Sequence, residues 1–474
     1  MNIGRLIFLS FLVFGVKAGF SQNKKSIVPK MEVGVAKIDI TPYGKIRLSG
    51  YLRTGKRIKE SEGVEQQLWA KAIAFGSDAQ GPSVLITVDL SAIQANMVAE
   101  VGDYIATKIK FNPQHLSICA SHTHSGPDMG NSHSMYFNPT LPADQLARIA
   151  VYLDSLKLKL KIVAMEALNN RKPSLVSWGQ GEVGFAMNRR VIKNGIWVGH
   201  GKVPDGPVDH HLPMMKIAGE DGTIKAIFVG YACHGTTLLD DINKTHGDWI
   251  GDAQVAIEAN HPGAIALVAQ GCAGDADPDQ RGTLAISKQH GQTIAKEVER
   301  LLGTPLVGLT APPKVVVKKI QLPYDRVPDV KEFTEMSVDT TTAKGHNAEV
   351  FLERMVRGIP IDTALTYPME CWTFGNELTM LFLGGEVLAD YSVRIRKEIP
   401  SGKLWINAYT NDVKAYIPSA RSIKEGGYEV EGNMYYYDHP FRFSTRIEEI
   451  IMKAVHDIVP ASGKYKFNKK NAIM

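Results

Sequence analysis

The stretch "CASHTHSGPDMG", Cys119–Gly130, closes an apolar run, "HLSICA" (115–120), with two histidines one residue apart followed by Ser-Gly-Pro. Residues i and i+2 of an extended chain point to the same side, so an extended reading sends His122 and His124 into one cavity. A metal site or a pair of polarising imidazoles would need that arrangement. Three more apolar runs end in a polar or acidic group among small residues: "YACHGTTL" (231–238), "AQGCAGDADPD" (269–279) and "FLGGEVLADY" (382–391). In α/β proteins reactive side chains gather at strand ends. One shared cleft is therefore expected.

The same pattern sets the fold class. Runs rich in β-branched residues occur at 83–90, 115–120, 226–233, 264–270, 314–322, 378–383 and 404–409, and they alternate with helical spacing at 143–168, 284–302 and 446–458. The expectation is a mixed α/β fold, with central sheets flanked by helices and the metal site at strand ends. Met1–Gln22 has a basic Arg5, an apolar core and small residues before Asn23, which is the pattern of a secretory signal. The apolar part is short for a membrane span of ~20 residues. A soluble exported protein, periplasmic or extracellular, is expected, with no transmembrane segment in the mature chain. No linker-like tract divides the remainder, so residues 32–460 read as one large domain and 461–474 as a basic tail.

With 44% hydrophobic and 22% charged residues and a net charge of +5, the composition is that of an ordinary globular protein. The dispersed basic residues argue against a nucleic-acid partner. A small-molecule or lipid-like substrate is expected instead; the oligomeric state is left open. Cys119, Cys233, Cys272 and Cys371 are expected to be buried free thiols, since three lie in or at the end of apolar runs.

A hydrolytic zinc centre needs nitrogen or oxygen ligands and one open position. His122, His234 and Glu386 would satisfy it, although their spacing does not require them to meet. "SHTHSGP" (121–127), "GYACHGTTL" (230–238), "QGCAGDADPD" (270–279), "LGGEVLADY" (383–391) and "NDVKAYIPS…GGYEVEG" (411–432) occur in the order found in the neutral/alkaline non-lysosomal ceramidase family, and "VGVAKIDITPYGKIRLSGY" (33–51) and "NRR" (188–190) also match. The chain resembles that family over roughly residues 33–460.

The resemblance implies a secreted zinc amidase acting on an N-acyl sphingoid-like substrate, with Zn²⁺ held by His122, His234, Glu386 and Tyr416. His124 would face the substrate carbonyl, and Tyr428 would help hold the oxyanion. Where the family reads "GDVSPN", this chain reads "GDADPD": Asp277 takes the serine position, as a general base or an added ligand, and Asp279 replaces the asparagine. The family's C-terminal immunoglobulin-like domain is expected to be missing, because the sequence ends soon after the helical pattern at 445–458. Two further readings follow. The same zinc site could act on an ester, a lactone or a glycosidic bond of a soluble saccharide, or the chain could be a non-catalytic binding protein.

Overall fold

The computed structural model of the protein describes residues 30–51, 55–130 and 141–460. The signal (1–22) and the basic tail (461–474) lie outside the described residues. β1 (Met31–Asp39), β2 (Trp69–Phe75), β3 (Ser83–Val88) and β4 (Leu116–Ala120) lead to the long helix Ala143–Asn169. β5 (Lys172–Glu182), β6 (Ala186–Lys193), β7 (Ile196–Val203), β8 (His211–Gly219) and β9 (Ile224–Tyr231) come next. Helix Asp248–Asn260 precedes β10 (Ile265–Gln270) and β11 (Ala276–Pro278), and helix Leu284–Leu302 precedes β12 (Val307–Leu309) and β13 (Lys314–Pro323). The last strands are β14 (Ala364–Phe374), β15 (Leu378–Leu383), β16 (Glu386–Val387), β17 (Leu404–Asn407) and β18 (Tyr416–Ile417).

Among the described residues nine strands form one sheet, ordered β10-β9-β8-β5-β1-β2-β3-β4 with β12 beside β5, and β13-β14-β15-β17 form a second. Strand alternation explains the layering. Leu85, Phe228 and Leu267 point inward to meet Trp372, Met380, Phe382 and Trp405 of the second sheet in one core. Phe228 stacks on Trp405 with ring centroids 4.5 Å apart, a pairing that adds about 0.5–1.5 kcal/mol beyond burial. Their strand neighbours face outward: Val84, Ile86 and Val88 join a core with Leu156, Leu160 and Val163 of the long helix, and Ile227 and Val229 pack with Ile250, Ile257 and Ile294. Leu381 and Leu383 share a core with Ile451 and Val455 of helix Ile447–Ile458. The result is two facing sheets with helices outside, as the mixed α/β reading expected.

Among the described residues three strand pairs of the two large sheets are parallel: β3–β4, β9–β10 and β15–β17. Their carboxyl ends all open toward the segments that carry His122, His234, Asp277, Glu386 and Tyr409. The four cysteines are buried and free, as expected.

The polar, aromatic-bearing sequence 188–211 reads as a long loop of the kind that carries recognition, but it is largely a hairpin of β6 and β7. Its turn is Asn194-Gly195, with φ of 52° and 77°. Asn-Gly is the residue pair that such a left-handed turn favours, so the signal was present in "KNGI". A second stretch, 124–139, rich in Gly, Ser and Asn, reads as a recognition loop in the same way, and its residues 131–139 lie outside the described residues.

Glu370 on β14 is buried and accepts hydrogen bonds from Ser117, from Trp372 Nε1 at 3.3 Å and from Asn411 Nδ2 at 2.5 Å. Burial pushes its carboxyl up from 4.5 to about 7 despite those donors. The folded state therefore holds a proton that the unfolded chain releases, so stability contributed below pH 4.5 is lost as pH rises through about 7. The loss is on the order of 3 kcal/mol. Glu370→Gln is expected to flatten the fall in thermal midpoint between pH 5 and 8, and an unchanged pH profile would rule Glu370 out as its source.

Candidate metal centre

His122 lies just past the end of β4, where the chain leaves the sheet with φ of 59°. The left-handed conformation is uncommon outside glycine, although histidine is among the residues enriched there. The two histidines of "HTH" do meet, with His124 Nε2 at 3.2 Å from His122 Nε2. They do so across a turn, not by strand alternation. The His122 backbone packs directly on the β9 end, where Thr123 bridges to Gly235 and His124 N–H donates to Gly235 O at 3.1 Å. A Cβ at Gly235 would stand 2.6 Å from the His122 carbonyl oxygen, so the approach requires glycine. Gly274 plays the same part on the other flank, where a Cβ would meet the Glu386 carbonyl oxygen at 2.6 Å.

These close approaches bring three side chains into a tight triangle. His122 Nε2 is 3.2 Å from His234 Nε2, and Glu386 Oε2 is 3.1 Å from the first and 3.3 Å from the second. All three residues are buried. Each of these two imidazoles is oriented from behind: His122 Nδ1 donates to Ser91 O at 2.5 Å and His234 Nδ1 to Ala273 O at 2.6 Å. A carbonyl only accepts, so the proton sits on Nδ1 and each Nε2 presents a lone pair. Two lone pairs facing each other at 3.2 Å repel unless a cation lies between them. Ligands on a tetrahedral ion with bonds of about 2.0–2.1 Å sit about 3.3 Å apart. The edges of the triangle match that span.

Electrostatics agree with ligation. Burial and the Arg189 charge hold His234 down at about 4 despite Glu386, and burial with the two neighbouring imidazoles holds His124 well below the ordinary range. Both rings are neutral, the state in which imidazole binds a metal. Burial opposes ionisation of Glu386, but positive charge at the His122 and His234 positions outweighs it and holds the carboxyl well below the usual range; with the imidazoles neutral, a bound cation would supply that charge. Tyr437 donates to Glu386 Oε1 at 2.6 Å, leaving Oε2 for the triangle. Tyr416, paired with Glu386 across β16–β18, brings its hydroxyl to 3.5 Å from His234 Nε2. The His122, His124 and His234 group could hold a metal ion.

Arg189 connects the remaining pieces, a role the bare "NRR" did not reveal. Its Nε donates to Glu429, Nη1 to Asp277 Oδ1 at 3.1 Å, and Nη2 to Gly274 O and to the Tyr416 hydroxyl. Asp277 also accepts from Thr236 Oγ1 at 3.1 Å and from Arg281 Nη1 at 2.8 Å. Burial alone would raise the Asp277 carboxyl; Arg189 and Arg281 hold it well below the usual range instead. Tyr428, partly exposed, packs edge-on against Tyr416 with ring centroids 5.6 Å apart. Burial and the Glu386 charge raise its hydroxyl pKa, so it stays protonated. Tyr437, Tyr409 and Arg281 were likewise missed, since isolated tyrosines and a lone arginine carry no spacing signal.

Comparison with known proteins agrees with this architecture. The neutral ceramidase of Pseudomonas aeruginosa is 22% identical over 291 residues, 58% of this chain and 41% of that protein. The match thus spans less than half of that relative's length. The crystal structure of neutral ceramidase from Pseudomonas aeruginosa superposes with a TM-score of 0.68 at 16% identity, covering 91% of this chain and 74% of that one. A ceramidase complexed with C2 gives 0.67 at 16% identity over 91% and 75%. These likenesses concern the fold. The family model for neutral/alkaline non-lysosomal ceramidase, N-terminal, matches residues 31–298, more than half of the chain, and the protein belongs to that family.

Proposed function

We propose that the protein is an exported zinc-dependent hydrolase that cleaves the amide bond of an N-acyl, sphingoid-like substrate. The closed triangle of His122 Nε2, His234 Nε2 and Glu386 Oε2, with edges of 3.1–3.3 Å, carries the reading. Those three residues with Tyr416 would hold the ion. Bound zinc lowers the pKa of a coordinated water toward ~7 and polarises an acyl oxygen.

The chain's own groups supply the rest. Ser91 O and Ala273 O fix the ligand tautomers, and Tyr437 stops the Glu386 carboxylate from rotating away. His124 is neutral and offers an N–H, and Tyr428 keeps its hydroxyl proton; both would donate to the acyl oxygen as it gains charge. Asp277 would act on this set chiefly through Arg189, which it orients toward the Tyr416 hydroxyl, because a carboxylate held between two guanidiniums is a weak proton acceptor. A second reading keeps this centre but has it act on an ester, lactone or glycosidic bond of a soluble saccharide. The ionised Asp277–Arg281 pair in the site wall favours it, since such a pair suits hydroxyls better than an aliphatic chain.

The test is metal analysis of the purified protein together with product detection from N-acetylsphingosine, with and without a chelator. Stoichiometric zinc and chelator-sensitive release of sphingosine are expected. Tyr428→Phe should lower kcat by about 10²–10³ with metal content unchanged. Zinc without amide cleavage would leave the second reading, and a metal-free folded protein would sink both.

A further inference from the structure

Beside the metal centre, on the far side of Asp277, lies a cavity of about 560 Å³ lined by His200, Lys202, Asp277, Asp279 and Arg281. That volume is in the range of small-molecule sites. From these walls we infer that the cavity is a subsite for a hydroxyl-rich, sugar-sized part of the substrate. As a substrate subsite it rests on the hydrolase reading above; its capacity to bind such a group does not.

The walls decide the ligand class. Six of the ten lining residues carry polar or charged side chains and Met187, Pro278 and Ile286 supply an apolar part, an amphipathic wall that suits the polar edge and apolar face of a sugar ring better than a bare aliphatic chain. Placing methylenes against ionised side chains would also strip water from charges without replacing their hydrogen bonds. Hydroxyl groups both donate and accept, and so suit a wall that mixes guanidinium, ammonium and carboxylate groups.

Arg281 is built for presentation. Its Nε donates to Thr236 O at 2.7 Å, Nη1 to Asp277 Oδ2 at 2.8 Å and Nη2 to the Tyr51 hydroxyl at 3.0 Å. One bond per nitrogen locks the planar fork, and each terminal nitrogen keeps a second N–H without an acceptor among the described residues. Asp279 adds a second carboxylate to the lining. The formal charges of the lining cancel, with Lys202 and Arg281 set against Asp277 and Asp279. A neutral polyol therefore fits better than an anion.

Two short paths tie the cavity to the reacting groups. Asp277, its wall, shares Arg189 with Tyr416. On the other side Arg281 bonds Tyr51, whose ring stands edge-on to His124 with centroids 5.2 Å apart. A group seated here is separated from Tyr416 by Asp277 and Arg189 and from His124 by Arg281 and Tyr51.

The experiment is calorimetric titration of the metal-loaded full chain with N-acetylglucosamine, N-acetylgalactosamine, glucose, galactose, chitobiose and lactose. At least one should bind, and its Kd should rise about tenfold in Arg281→Met, the loss expected for a hydrogen bond to a charged donor. Lys202→Met, on an exposed hairpin strand, should weaken the same saccharide by a smaller factor. No binding by any of the six to folded, metal-loaded protein overturns the inference, as does binding that both variants leave unchanged. Metal content measured on the same samples separates the two ideas. A saccharide bound by protein without stoichiometric metal supports the cavity and sinks the zinc reading, whereas metal without saccharide binding does the reverse.

Discussion

His234→Ala is expected to strip the protein of its metal and its hydrolytic activity together, while leaving the metal-free fold close to parental stability. The side chain forms two edges of the triangle, at 3.2 Å to His122 and 3.3 Å to Glu386. Removing it should cost more than the ~10–100-fold typical of a group that merely orients a ligand. Its backbone position is kept independently, since the carbonyl accepts from Trp249 Nε1 at 2.9 Å and the N–H donates to Ala276 O at 2.8 Å. Stability should respond in an unusual way. Without a cation the parent holds converging lone pairs in a buried cage, so deleting one imidazole removes repulsion as well as packing. With metal at a thousand times its Kd the parent gains about 4 kcal/mol, and the variant should gain none. The measurement is the thermal midpoint of both proteins with and without added zinc, beside metal stoichiometry. If the variant still retains one equivalent of metal, His234 is not a ligand.

Much of this was legible because strand ends announce themselves. The runs "HLSICA", "AIFVGYAC" and "LTMLFL" were read within about two residues of β4, β9 and β15, and each reading pointed at the side chain that follows. What spacing could not supply was the third dimension. His122 reaches the cage through a left-handed residue and a glycine contact, which "HTH" alone does not encode. Tyr437 and Arg189 act across 51 and 227 residues, on Glu386 and Tyr416 respectively. A tyrosine or arginine chosen for one long-range hydrogen bond leaves no periodicity, so only the fold reveals it. β6 and β7 are the opposite case: the Asn-Gly turn was there to be read, and the polar composition of the hairpin hid it.

Asp277→Asn should destabilise the folded protein by about 3–5 kcal/mol, the cost of breaking a buried ion pair on one side only. Arg189 is nearly buried and would keep Glu429 as its one countercharge, which Arg190 and His200 already share. Asparagine offers one acceptor where the carboxylate serves Arg189, Thr236 and Arg281, and its amide N–H would face a guanidinium. A general-base role for Asp277 makes a different forecast: activity lost at every pH with stability intact. The two separate in a double-mutant cycle. Asp277→Ser installs the residue that the ceramidase resemblance expects, and Arg281→Leu removes the less buried of its two arginine partners. If Asp277 is held for its arginines, the double variant should be more stable than the sum of the singles predicts, by about 0.5–3 kcal/mol, and should recover part of the activity. A base has no such dependence on Arg281, so additive stabilities with activity absent from both serine variants would return the proton-accepting role to Asp277.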